Sequence, residues 1–415
     1  MRRSIARLTV AAGLALSGGC RGATDPTPGG QAPILDALPR PLTSAERSVA
    51  GAANDFSFSL FRQLSAAQPD SNVFTSPLSA SMALGMAMNG AAGATLDQMR
   101  SALAVGSTPE SDVDAGYKGL IALLRGLDPG VDFRIANSIW YRSGFPVEPA
   151  FLDAGRNYFD AQVTALDFGS AASVKTINDW VSGATAGKIP AIVDAIDSGN
   201  VMFLIDAVYF KGSWRDRFDS AQTRDAPFHG IGGDQPMKLM HREGTIAYLS
   251  TPAFEAVDLP YGNAAFTMTV VLPRAGASVD AVAASLSGSD WTASMSQFHD
   301  QQVALDLPRF RLEWGRTLNG DLEALGMHDA FVPNGADFTR LSSRGRELFI
   351  SEVRQKTFVD VNEEGTEAAA ATSVGISATS APLLIPMRVD RPFIIVIRER
   401  LSGTILFMGK IVRMP

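Results

Sequence analysis

The chain has 415 residues, of which 46% are hydrophobic, with a formal charge of −7, four histidines and one cysteine. That apolar content over that length excludes a disordered chain and provides for a large core. The acidic balance disfavours nucleic acid and anionic membranes as partners, and a lone cysteine excludes a disulfide within the chain.

The first twenty residues read as a targeting segment. Arg2 and Arg3 make a short basic start, and residues 8–17 are apolar but too short to span a bilayer. Residues 1–20 are therefore set apart as a signal peptide, and residues 21–43, rich in Gly, Pro and Ala, as a flexible linker. No later segment is both long and rich in Pro, Gly and Ser without hydrophobic periodicity, so residues 44–415 read as one large mixed domain. Residues 44–67 predict a helix with Phe56, Leu60, Phe61 and Leu64 on one face. Ser76 caps the next helix, with Pro77 at its first position. Ala80, Ala83, Gly85 and Ala87 predict that this helix packs tightly.

Residues 148–159 are amphipathic, and residues 201–210 form an apolar run that suits a strand buried on both faces. Strands are also predicted over 253–259, 266–272 and 302–308, and a short helix over 318–325. Residues 348–362 alternate as one long strand. The chain closes on a hairpin that pairs 393–397 with 405–411 through Ser402-Gly403.

Between that long strand and the hairpin lies the most informative stretch, Glu363-Glu364-Gly365-Thr366-Glu367-Ala368-Ala369-Ala370-Ala371-Thr372, continued by Ser373-Val374-Gly375-Ile376-Ser377-Ala378-Thr379-Ser380. Alternate residues Thr366, Ala368, Ala370, Thr372, Val374 and Ile376 are small or apolar, and those between them are small or polar. A period of two marks a half-buried strand. Yet Gly365 opens the stretch and Ala381-Pro382 follows it, which are loop boundaries. Four alanines after Glu367 equally suit the first turn of a helix, which Val374, Gly375 and Ile376 would not extend. The stretch reads as a loop built so that it can become a strand.

Enzyme motifs are absent: there is no Gly-x-Ser-x-Gly elbow, P-loop, His-Glu-x-x-His or Cys pair. His229, His241, His299 and His328 do not stand at metal-ligand spacing, so no metal and no cofactor are expected. Glu363-Glu364, as neighbours on a strand, would point to opposite faces and share no proton. An envelope hydrolase would need a nucleophile and a base that no local motif supplies.

The alanine-rich stretch resembles the hinge and reactive loop of the serpins, the serine protease inhibitor family. The resemblance extends in the family's order from about Ser44 to the end of the chain. It is carried by Asn72-Val73-Phe74-Thr75-Ser76-Pro77-Leu78-Ser79, Gly90-Ala91-Ala92-Gly93-Ala94-Thr95, Ile135-Ala136-Asn137-Ser138-Ile139-Trp140, Ile177-Asn178-Asp179-Trp180-Val181, Thr185-Ala186-Gly187-Lys188-Ile189, Asp206-Ala207-Val208-Tyr209-Phe210-Lys211-Gly212-Ser213-Trp214 and Arg391-Pro392-Phe393 onward.

It implies an α+β serpin fold with about three β-sheets, eight or nine helices and an exposed reactive-centre loop. It also implies a suicide-substrate inhibitor of serine proteases, itself no enzyme, expected as a monomer. The hinge would be Gly365, Thr366, Glu367, Ala368, Ala369, Ala370 and Ala371. The reactive bond would be Thr379–Ser380 by the count from the hinge, or about two residues later by the count back from Pro392. Gating positions would be Glu363 with Arg309 (or simply two solvated charges), Trp214, and a polar cluster of Ser76, Ser79, Asp206 and Gln355. Many relatives carry Asn and His where this chain has Asp206 and Gln355; a Gln amide can donate to a carboxylate, so that contact is expected to survive. The region 95–105 that resembles a heparin-binding helix in some relatives has only Arg100 as a cation, so no heparin site is expected.

No Lys or Arg lies between Gly365 and Met387, so the implied target is elastase-like or subtilisin-like, not trypsin-like. Leu383 and Leu384 leave a chymotrypsin-like target open. The alternative within the family is a non-inhibitory binding protein, against which the small-residue hinge speaks. Gly18-Gly19-Cys20 resembles the end of a bacterial lipoprotein signal, although Ser17 stands where Leu is usual. Lipidation of Cys20 would place the chain on the cell envelope; an incidental cysteine in a cleaved signal would leave it secreted.

Overall fold

The structure is a computed structural model and describes residues 31–197, 199–366 and 383–415. Its first helix, α1 (Ser44–Ala67), starts on a capping box: the Glu46 N–H donates to Thr43 Oγ1 at 3.1 Å, and the Thr43 N–H to Glu46 Oε2 at 2.8 Å. β1 (Val73–Thr75) leads to α2 (Pro77–Met88), capped by Ser76 and buried along almost its whole length. Close packing there is paid in glycine: a Cβ on Gly85 would lie 2.9 Å from the Tyr117 ring. α3 (Gly93–Ala102), α4 (Glu110–Leu124), β2 (Val131–Arg142), α5 (Pro149–Phe159), β3 (Gln162–Leu166) and α6 (Ala171–Ala184) follow.

The second half is richer in strands: β4 (Met202–Ser213), β5 (Arg224–Gly230), β6 (Gly233–Ser250), β7 (Phe254–Pro260) and β8 (Phe266–Pro273). Then come α7 (Val279–Ser285), α8 (Gly288–Met295), β9 (His299–Thr317) and α9 (Asn319–Ala324). The chain ends with β10 (Arg354–Asn362), β11 (Gly365–Thr366), β12 (Ile385–Arg388), β13 (Phe393–Glu399) and β14 (Ile405–Ile411).

The strands form one hydrogen-bonded network of three blocks, because the long strands β6 and β9 each serve two of them. One block runs β3, β2, β4, β11, β10 and the second half of β9. Another holds β5, β6, the first half of β9 and β12. The last runs β6, β7, β8, β13, β14 and β1. β9 changes character where it crosses between blocks: residues 305–308 are buried, then exposed Arg309, Arg311 and Glu313 alternate with buried Phe310, Leu312 and Trp314. β8, β13 and β14 are buried throughout and form the centre of the main core. A smaller cluster of Trp140, Ile177, Val181, Ile189 and Ile205 fixes α6 and its exit over β2 and β4.

Two expectations need correction. The strand expected over 348–362 begins only at Arg354. Upstream, the backbone is bonded elsewhere: the Val353 N–H to Asn319 Oδ1 at 2.7 Å, and the Ile350 N–H to the Ala330 carbonyl at 2.8 Å. The expected linker is also shorter, since residues 31–43 lie on the domain. Gln31 Nε2 donates to the Arg215 carbonyl at 2.9 Å, the Leu35 N–H to the Asn263 carbonyl at 2.8 Å, and Leu35, Leu38 and Leu42 pack on the core.

Candidate functional site

β10 ends at Asn362 and turns through Glu363-Glu364 into β11, which lies between β10 and β4. Gly365 stands opposite Asn362 on one side and Ser213 on the other; Thr366 stands opposite Val361 and Gly212. Each carbonyl of the turn has a donor. Trp214 Nε1 donates to Asn362 at 2.8 Å, the Phe218 N–H to Glu363 at 2.9 Å, and the Trp214 N–H to Glu364 at 2.8 Å. Gly365 has a φ of +157°, and a Cβ there would lie 2.1 Å from the Gly212 carbonyl oxygen. Only glycine lets the chain press this closely against β4.

Thr366 is buried, and its hydroxyl is 2.7 Å from that of Tyr261. Burial pushes the Tyr261 phenol well above its ordinary range, so it stays neutral and able to donate. The Tyr261 ring stacks on Trp214 with centroids 4.5 Å apart. Glu363 and Arg309 are brought together at 3.6 Å, but the closer partner of Glu363 is Thr223 Oγ1 at 2.8 Å. Arg309 is 56% exposed, so its ion pair contributes at most about 1 kcal/mol. Glu363 and Glu364 occupy the hairpin turn, not successive strand positions.

Below Thr366, β4 and β10 share no ladder among the described residues; β4 pairs outward with β2 and β10 with β9. Each is antiparallel to β11, so the two flanking strands run parallel. The polar cluster lies in this lower part. Gln355 Oε1 accepts from Thr75 Oγ1 at 2.6 Å and from the Ser76 N–H at 3.1 Å, and its Nε2 donates to the Ser76 carbonyl at 2.8 Å. Ser76 Oγ donates to the Leu406 carbonyl at 2.8 Å, and Ser79 Oγ to the Asp206 carbonyl at 3.2 Å.

The contact expected between Gln355 and Asp206 is therefore not formed, because both ends of the Gln355 amide are engaged by Thr75 and Ser76. Both Asp206 carboxyl oxygens are buried without a hydrogen-bond partner. Burial raises the Asp206 pKa to about 8, against smaller opposing effects of Ser79 and Arg125.

Glu367, Ala368, Ala369, Ala370, Ala371, the expected reactive bond Thr379–Ser380 and Cys20 lie outside the described residues. On the far side, β12 pairs in parallel with β9, Ile385 opposite Val303. β11 thus lies in one block and β12 in another. Sequence reasoning missed Tyr261, Thr223 and Phe218, which bond to Thr366 and Glu363 from distant parts of the chain with no local motif. It also missed Thr75 as a partner of Gln355.

Three of the four histidines stand beside acceptor oxygens. His241 Nδ1 is 2.7 Å from Asp306 and its Nε2 is 3.4 Å from Glu243, so both ring nitrogens face carboxylates. His229 pairs with Asp234 at 2.7 Å, and His299 Nδ1 lies 3.0 Å from the Gln297 carbonyl. Among the described residues, no group of three or more His, Cys, Asp or Glu side chains could hold a metal ion.

The placement of Gly365 and Thr366 between two parallel strands agrees with comparison to known proteins. The family profile for serpins (serine protease inhibitors) matches residues 51–414. An uncharacterized serpin-like protein of Thermococcus kodakarensis is 34% identical, covering 99% of this chain and 98% of its own. The human leukocyte elastase inhibitor is 33% identical over 86% of this chain and 96% of its own. The crystal structure of human thyroxine-binding globulin superposes with a TM-score of 0.81 at 25% identity, covering 89% of this chain and 99% of that one. The chain belongs to the serpin family and has the serpin fold.

Proposed function

We propose that this serpin is an inhibitor of serine proteases that acts as a suicide substrate. The observation that carries the reading is β11: the first two hinge residues already pair with β10 on one side and β4 on the other. A strand inserted in that register would have Thr372 opposite both Asp206 and Gln355, on the face that Thr366 presents to the core. Ala368 and Ala370 fall on the same face, and their small side chains let a strand enter without overpacking. Val374 and Ile376 follow and contribute about 1.5–3 kcal/mol each on burial.

The protease serine attacks the Thr379 carbonyl, an ester forms, and the amine of Ser380 leaves. With β12 still paired to β9, the uncut loop is tied at both ends; cleavage frees the hinge side. Insertion from Thr366 to Thr379, at about 3.3 Å per residue, carries the acyl group roughly 45 Å. The small residues around Thr379, and the absence of Lys or Arg between Gly365 and Met387, favour elastase-like or subtilisin-like targets. The similarity to leukocyte elastase inhibitors points the same way. Export, with Cys20 as a lipid anchor on a bacterial envelope, completes the reading.

Incubation with elastase tests it: a covalent band on a denaturing gel is expected, and cleaved chain alone would overturn it. That second outcome is the one a binding protein would give, the reading favoured by the similarity to thyroxine-binding globulin.

A further inference from the structure

Asp206 on β4 stands directly opposite Asn137 on β2. Opposed residues in an antiparallel pair share a face of the sheet, with Cβ atoms about 4.5–5.5 Å apart. Asn137 Nδ2 donates to the Phe159 carbonyl at 2.6 Å, which fixes the orientation of its amide. Its Oδ1 is then an acceptor that is buried with no donor. The two carboxyl oxygens of Asp206 are buried and without a partner as well. On opposed residues of one ladder, three buried acceptor oxygens with no donor would be costly. A proton on Asp206 turns one of them into a donor.

We infer that Asp206 is neutral in the native protein and donates its carboxyl proton to Asn137 Oδ1, bracing the strand that borders the insertion seam.

The surroundings support a neutral carboxyl. Ser79 from α2 gives its hydroxyl to the Asp206 carbonyl at 3.2 Å, and its opposing effect on the carboxyl is smaller than that of burial. Tyr117 from α4 is buried, bonded to Ser81 and neutral, its own pKa pushed up to about 12 by burial. Gln355 from β10 carries no charge and is engaged elsewhere. The cation that acts on Asp206 is Arg125, whose guanidinium is bonded to Asp160 at 2.6 Å and to the Ile135 carbonyl. Burial accordingly holds the Asp206 proton up to about pH 8.

Because the folded pKa lies above that of the unfolded chain, the native state binds the proton more tightly. The contribution of Asp206 to stability is fully present at acid pH, declines as pH rises toward about 8, and levels off beyond. A strand that must accept a neighbour is thus held by a brace that alkali removes.

Asp206→Asn tests the inference, since its amide supplies a permanent donor of the same shape. Thermal midpoints of the intact protein, without protease, are measured from about pH 5 to about pH 9. The variant's midpoint should gain on wild type by several degrees across this range and stop gaining above about pH 8. A difference that stays constant with pH overturns the inference. Wild type alone gives a second reading: a protonated-carboxyl stretch in its infrared spectrum at about pH 7 that disappears at alkaline pH is expected, and ionised carboxylates only would also overturn it. Neither measurement involves a protease, so each stands apart from the inhibitory reading.

Discussion

At the hinge end of the seam, every turn carbonyl from Asn362 to Glu364 has a donor. Lower down, three side-chain oxygens of Asn137 on β2 and Asp206 on β4 receive no donor from any other residue. The upper region uses rings and backbone: Trp214 and Tyr261 stacked together, with Thr366 bonded to the second. The lower region divides in two, since Gln355 ties β10 firmly to Ser76 while Asp206 on β4 reaches no partner across the seam. In the proposed inhibitory reading, the contrast suits a dock that must not move beside a strand that must admit another.

Four substitutions break or sharpen this contrast, in falling order of effect. Gly365→Val removes the dock itself, because its Cβ would collide with the Gly212 carbonyl. The protein should fold yet be cut by elastase without forming a covalent complex on a denaturing gel. Trp214→Ala takes away both a buried ring and the donor to Asn362; a loss of about 3–5 kcal/mol in native stability is expected by denaturant titration. Gln355→Leu leaves Ser76 and Thr75 groups without partners, and should cost about 2–3 kcal/mol in the same titration. Arg309→Ala should change stability by less than about 1 kcal/mol, since Glu363 keeps Thr223 and the lost pair is solvated. A large effect of Arg309→Ala with a small one of Trp214→Ala would reverse the assignment of what holds the hinge.

Local signals carried much of the fold. α1 begins and ends where its apolar face and capping residues say, and α2 starts on Ser76 and Pro77 as expected. Gly365 was legible as a break in the strand pattern; the side chains that meet it were not. Tyr261, Thr223 and Phe218 meet the hinge from about 100 residues or more away, and nothing in their own neighbourhoods signals that meeting. β5, with Arg224, Asp225 and Pro227, lacks an apolar alternation and is found only through its partner β6. Residues 348–353 alternate like a strand, yet α9 and the turn at Ala330 take up their backbone groups. Periodicity reports which side is buried, not which neighbour supplies the hydrogen bond.

The first described residue, Gln31, is bonded to the Arg215 carbonyl and to Asp216, beside Trp214. In the proposed reading, a tether through the residues before Gln31 would hold the body by the side that carries Trp214 and the turn at residues 363–366, within reach of proteases working close to the anchoring surface.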